Sequence, residues 1–149
     1  MATREHSITV ERPADEIWSV IREFDNVDWY PGVRLVDLDG ARRTIALDST
    51  GMRIEQSLGR DDTTRTLTYR LTGFPGTAVL EMPDGSARDL AAMAGHQGGH
   101  IVVSAAGESA ARIVYVTEAD DGFDSAIDDA AGAHRAALAH LKQQLERAK

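Results

Sequence analysis

FDSAIDDAAGAHRAALAHLKQQLERAK, residues Phe123 to Lys149, closes the chain and decides its architecture. Ile127, Ala130, Ala131, His134, Leu138, Leu141 and Leu145 recur at three-and-four spacing and form one stripe on a long helix. At 1.5 Å per residue such a helix runs about 40 Å, enough to cross a small domain. The second half of the stripe is leucine. The first half presents alanines and one histidine where leucines would fill a core. Small side chains leave space against a facing sheet, so the stretch predicts a helix that seals one end of a sheet and leaves a ligand cavity at the other.

Upstream, Ser7–Val10 alternates polar and apolar residues as a short first strand does. Pro13 suits the first turn of a helix, with Asp15 and Glu16 near its positive end and Ile17, Val20, Ile21 and Phe24 on its buried face. Asp25–Tyr30 reads as a second short helical segment, stopped by Pro31-Gly32. Six strands follow: Val33–Asp39, Arg43–Asp48, Met52–Leu58, Arg65–Leu71, His100–Ala106 and Ala111–Glu118. Short polar turns at regular spacing make these an antiparallel meander. The segment Thr72–Gly99 breaks the rhythm. It is too long for a hairpin turn, with a candidate strand at Thr77–Met82 and a helical turn or two at Ser86–Ala94, capped by Ser86. It is either a lid over the cavity or a flap that extends a hairpin.

Composition narrows the partners. At 149 residues and 42% hydrophobic content the chain makes one globular domain, and no apolar run approaches membrane-spanning length. The net charge of −8 disfavours nucleic acid or an anionic membrane as partner. The first residues form no apolar signal segment, which makes a cytoplasmic location the default expectation. Without cysteine there is no disulfide, thiolate nucleophile or thiolate metal site. His96 and His100 flank a glycine-rich stretch, but no helix aligns them and no third ligand stands at an obvious spacing. The same stretch lacks the lysine and strand–loop–helix context of a phosphate loop. No metal or cofactor is expected. Asp120, Asp121, Asp128 and Asp129 read as helix-start and solvent-face charges, and Asp61-Asp62 as a turn.

Residues two apart on a strand share a face. Arg43, Ile45 and Leu47 are in phase, as are Met52, Ile54, Gln56 and Leu58 on the next strand. Leu67, Tyr69 and Leu71 share a face, and so do Ile113, Tyr115 and Thr117. The inward inventory is therefore apolar, with Arg43, Gln56, Tyr69, Tyr115 and His134 scattered through it, as in small-molecule sites. Met52 and Leu138 complete the apolar wall. Each polar member also has a purely structural alternative: a tyrosine bonding its hydroxyl to backbone, Arg43 reaching past the sheet edge, Gln56 satisfying a bulge, His134 paired within a core.

Several stretches carry a resemblance. Arg12-Pro13-Ala14-Asp15-Glu16-Ile17-Trp18 is followed by Asp28-Trp29-Tyr30-Pro31-Gly32-Val33, then Thr66-Leu67-Thr68-Tyr69-Arg70, then His134-Arg135-Ala136-Ala137-Leu138-Ala139-His140-Leu141-Lys142. In this order, over nearly the whole chain, they resemble the START/Bet v 1-like superfamily (SRPBCC), in particular its polyketide cyclase/dehydrase and lipid-transport-like branch. The resemblance implies an α+β helix-grip fold: a seven-stranded curved antiparallel sheet around the long C-terminal helix, with two short helices after the first strand. It also implies an apolar cavity with Trp29 and Tyr30 near its entrance, Tyr69 within it and His134 on the helix wall. Gln56 stands where similar sequences often carry a glutamate, and residues 72–99 are longer than the usual connection.

The function expected from this is binding of a hydrophobic, polyketide-like or aromatic molecule, with aldol-type cyclisation or dehydration. His134 would shuttle a proton near neutral pH, and Arg43, Tyr69 or Tyr115 would hydrogen-bond a developing enolate oxygen. A non-catalytic carrier, sensor or sequestering protein is the alternative, and an interaction domain with a filled core is a third. Substrate identity and oligomeric state stay open.

Overall fold

The computed structural model describes residues 1–77, 79–81, 83–125 and 127–147. The elements run β1 (Ala2–Val10), α1 (Ala14–Ile21), β2 (Val33–Asp39), β3 (Arg42–Leu47), β4 (Arg53–Asp61), β5 (Thr66–Gly73), β6 (Val79–Glu81), β7 (Ala87–Asp89), α2 (Leu90–Met93), β8 (Gln97–Ala105), β9 (Ala111–Ala119) and α3 (Ile127–Arg147). Seven strands form one antiparallel sheet in the order β1-β9-β8-β5-β4-β3-β2, and β6 pairs only with β7. Register shifts between Leu35 and Asp37 and between Glu55 and Gln56 interrupt the ladders. Such bulges bend a strand and let a sheet curl around a helix. The architecture is the helix-grip arrangement, with α3 held against β1 and β9.

The first strand is longer than its alternation suggests. Arg4 and Glu5 hide the pattern, yet β1 pairs along its whole length, from Ala2 opposite Ala119 to Val10 opposite Ala111. Pro13 is the N-cap of α1 rather than its first helical residue. Ala14, Ile17, Trp18 and Ile21 are buried, while Val20 and Phe24 are only partly so. Trp18 joins that face because its indole N–H donates to Asp62 Oδ1 at 2.9 Å, outside the apolar contact. Asp62 is thus more than a turn residue. Arg22 also bonds it, and these two donors, Arg22 first, lower its pKa to about 2.

The expected helical segment at Asp25–Tyr30 does not form. Asp25–Tyr30 is a succession of turns, with Asn26 N–H bonded to Glu23 O and Tyr30 N–H to Val27 O, both at 3.0 Å. The Asn26 side chain accepts from Asp28 N–H at 3.3 Å, a local bond that competes with helix continuation.

The long segment before β8 forms the β6–β7 hairpin and the single turn α2. Ala78 and Met82 of the expected strand, like Lys149 at the end of the expected helix, lie outside the described residues. Asp89, not Ser86, caps α2 by accepting from Ala92 N–H at 3.1 Å. Ser86 is occupied by Asp84, which takes both its N–H and its hydroxyl.

The packed core lies at the end where α1 meets the second half of α3. Val10, Ile17, Ile21, Ile113, Leu138 and Leu141 are essentially inaccessible there. Burial of each such side chain contributes about 1.5–3 kcal/mol. Among the described residues no helix is long and apolar enough to cross a membrane.

Candidate functional site

The other half of α3 does not fill its share of the interior. A cavity of about 310 Å³ lies between the sheet and Ile127, Ala130, Ala133 and His134 of α3. The strand phases expected from alternation hold here. Arg43, Ile45 and Leu47 of β3, Ile54 and Gln56 of β4 with Met52 just before it, and Leu67, Tyr69 and Leu71 of β5 all line it. Tyr115 and Thr117 complete the far wall, and Trp29 and Tyr30 line it from the turn segment. Leu138, expected in the lining, is not there. One turn past His134 it is fully buried in the apolar cluster that also holds Ile17 and Ile21. Ala133, not Ala131, joins Ala130 as a small residue facing the space.

His134 stands at the centre of an aromatic box. The Tyr115 ring stacks on the imidazole at 4.1 Å and 12°, while Tyr30 and Tyr69 approach edge-on, each at 5.9 Å. Nδ1 lies 2.8 Å from Thr117 Oγ1. The strand phase had placed Thr117 beside Tyr115; what the phase could not show is that its hydroxyl meets the histidine. Burial depresses the His134 pKa to about 4, so the ring is uncharged at neutral pH, against the expectation that it titrates there. Burial also raises Tyr30, Tyr69 and Tyr115 above the usual phenol range, so all three keep their protons.

Two glycines make the box possible. Tyr69, Gly99 and Thr117 lie side by side across β5, β8 and β9. The Tyr69 ring crosses over Gly99, and its hydroxyl donates to Val116 O at 3.4 Å while facing the Thr117 and Tyr115 hydroxyls. A Cβ on Gly99 would stand 2.8 Å from Tyr69 Oη and 2.0 Å from Val116 O, and one on Gly98 would stand 2.4 Å from Tyr69 O. The glycine-rich stretch is therefore a floor that lets a tyrosine lie flat on the sheet.

Arg43 does not reach past the sheet edge. It turns inward, its Nε donating to Gln56 Oε1 at 2.7 Å and its Nη1 to Phe24 O at 3.0 Å. Burial lowers its pKa, although a guanidinium stays charged. Gln56 is directly opposite Arg43 in the ladder, which accounts for the polar residue in an apolar phase.

Trp29, expected near the entrance, is only 5% exposed and packs edge-on against Tyr30 as part of the wall. Its carbonyl accepts from His140 Nδ1 at 3.1 Å. The segment 72–99 supplies Phe74, Arg88, Leu90 and Met93 to the lining, and Arg88 pairs with Asp129 of α3 at 3.4 Å. Nothing in the residue pattern had marked Arg88 or Phe74. His96 and His100 have separate partners, Asp120 at 3.1 Å and Glu118 at 3.4 Å. Among the described residues no three histidine or acidic side chains gather as metal ligands.

Residues 1–146 match the family model described as polyketide cyclase / dehydrase and lipid transport. The chain belongs to this family. No curated protein sequence matches it. Solved structures of family-like fold include XoxI from Bacillus cereus, at 19% identity and TM-score 0.73 over 97% of this chain and 95% of that one. The Zhui aromatase/cyclase from a Streptomyces species aligns at 18% identity and TM-score 0.66 over 98% of this chain and 94% of its own. Norcoclaurine synthase from Thalictrum flavum, in complex with dopamine and hydroxybenzaldehyde, aligns at 15% identity and TM-score 0.66 over 99% and 88%. At these identities the likeness establishes the Bet v 1-like fold and no more.

Proposed function

We propose that the protein encloses an apolar, oxygen-bearing small molecule, aromatic or polyketide-like, and catalyses its cyclisation or dehydration with His134 as the proton-transfer group. One observation carries this: an uncharged imidazole in the cavity wall, boxed by three tyrosine rings and anchored at Nδ1 by Thr117. With Nδ1–H donating to Thr117 Oγ1, Nε2 is free to take a proton from a carbon next to a carbonyl. The carbanion closes a carbon–carbon bond on a second carbonyl, and the proton returns to the alkoxide so formed. Loss of that hydroxyl as water, with a further α-proton, gives the double bond. The transient imidazolium is helped by the Tyr115 face stacked on it and by the enolate it has just made. Arg43, Tyr69 and Tyr115 are the donors for the enolate oxygen. Ordered apolar walls hold the chain folded for attack. The segment 72–99 acts as the cover of this space, tied to α3 through Arg88 and Asp129.

A second reading is a non-catalytic carrier, sensor or sequestering protein. It is supported by the displacement of His134 and all three tyrosines away from neutral pKa values, which leaves the box without a group poised for acid–base work at pH 7.

The test is turnover of a poly-β-ketone thioester mimic by the wild type and His134→Gln, beside calorimetric affinity for the same compound. Catalysis predicts a rate loss of about 10²–10⁴ with affinity within about threefold. An unchanged rate removes His134 from the chemistry, and binding without turnover in the wild type leaves the carrier.

A further inference from the structure

Arg43 has charge left over. A guanidinium offers five N–H donors, and the described residues take two of them, on Nε and Nη1. Both acceptors are neutral: the Gln56 amide oxygen and the Phe24 carbonyl. No carboxylate of the described residues pairs with it. Of the other charged side chains of the lining, Arg88 is paired with Asp129, and Glu118, out of phase with Tyr115 and Thr117 on β9, turns its carboxylate to the opposite face of the sheet beside His100. His134 and the three tyrosines contribute no charge at neutral pH. The cavity therefore holds one uncompensated positive charge in a mostly apolar wall. A buried ion without a partner is costly, and an arriving counterion relieves that cost.

Size limits the rest of the ligand. At about 30 Å³ per water molecule, 310 Å³ corresponds to about ten waters. That volume is at the small end of ligand cavities and suits a molecule of one or two rings.

We infer that the cavity takes a one- or two-ring aromatic carboxylate, its carboxylate bound to Arg43 and its rings lying among Tyr30, Tyr69, Tyr115 and His134. This rests on the proposal that the cavity binds an apolar small molecule, and adds the charge and size of that molecule. Arg43 suits a carboxylate because its planar fork presents two parallel donors, and the Nη2 hydrogens are uncommitted. The tyrosine hydroxyls and the imidazole are left for hydroxyl or carbonyl groups on the rings.

The experiment is calorimetric titration of the full chain at pH 7.5 with 2-naphthoate and with 2-acetonaphthone, a neutral ketone of nearly the same shape. The wild type is expected to bind the naphthoate at least tenfold more tightly. Gln56→Glu, which places a carboxylate against Arg43, is expected to bring the two ligands within threefold of each other. Arg43→Gln should do the same and serves if the first variant fails to fold. Equal affinities in the wild type would overturn the anionic ligand and leave the apolar cavity standing. A naphthoate preference that survives in both variants would move the charge recognition away from Arg43 and overturn the inference. Failure of both compounds to bind would bring down the cavity reading as well.

Discussion

The two halves of α3 face the same sheet and do opposite things. From Ala137 onward the helix presents leucines to α1 and the strands, and Leu138 and Leu141 have no exposed surface. From Ile127 to His134 it presents alanines and an imidazole to open space. The backbone hardly differs between them. What differs is side-chain volume on one stripe. A single helix thus divides the interior into a part that supplies stability and a part that gives some of it up to keep a cavity open.

That division predicts unequal responses to substitution. The largest belongs to the filled half. Leu138→Ala removes a fully buried side chain from a close-packed cluster, so it should cost about 4 kcal/mol, near the upper part of the range for such truncations. Urea unfolding at pH 7.5 measures it. A loss below about 1 kcal/mol would mean that this end is as loosely packed as the other.

The second response belongs to the open half and depends on pH. His134 has a pKa of about 4 in the folded chain against an ordinary 6.5. Between those values the unfolded chain binds the proton and the folded chain does not, so stability is present above about pH 6.5 and is lost as pH falls toward 4. At 1.36 kcal/mol per unit, the full loss is about 3 kcal/mol. His134→Gln should flatten this part of the profile relative to the wild type. Equal slopes in the two proteins would show that the imidazole is better solvated than its aromatic box implies.

Much of this was legible in the residue pattern because it depends on periodicity. Two-residue alternation placed Arg43, Gln56, Tyr69 and Tyr115 on the inner face, and the helical stripe placed His134 opposite them. The alanine half of α3 announced the cavity. What periodicity could not carry is pairing between distant groups. The Thr117–His134 contact and the Arg88–Asp129 pair join separate elements, and the hold of Gln56 on Arg43 depends on the register of the β3–β4 hairpin. Gly98 and Gly99 looked like a failed phosphate loop, because the tyrosine that needs their missing Cβ atoms comes from a neighbouring strand. Leu138 was misplaced for a related reason. A stripe shows which face of a helix is buried, but not where along it the packing partner ends.

The smallest effect on stability should therefore come with a large effect on binding. Ala130→Leu puts about 0.8 kcal/mol of burial per added CH₂ into space that is otherwise open, so no neighbour must move and the added surface finds apolar walls. Stability should stay within about 1 kcal/mol of the wild type, on the favourable side if anything, whereas overpacking a filled core costs about 1–3 kcal/mol. The same leucine occupies volume that a ring would need, and naphthalene-sized ligands should lose at least tenfold in affinity. The two readouts together discriminate. Lost binding with stability retained means that the alanines are there to keep a cavity open. Lost stability means that they are there because the helix and sheet already touch, and the contrast between the two halves of α3 would then be one of residue size alone.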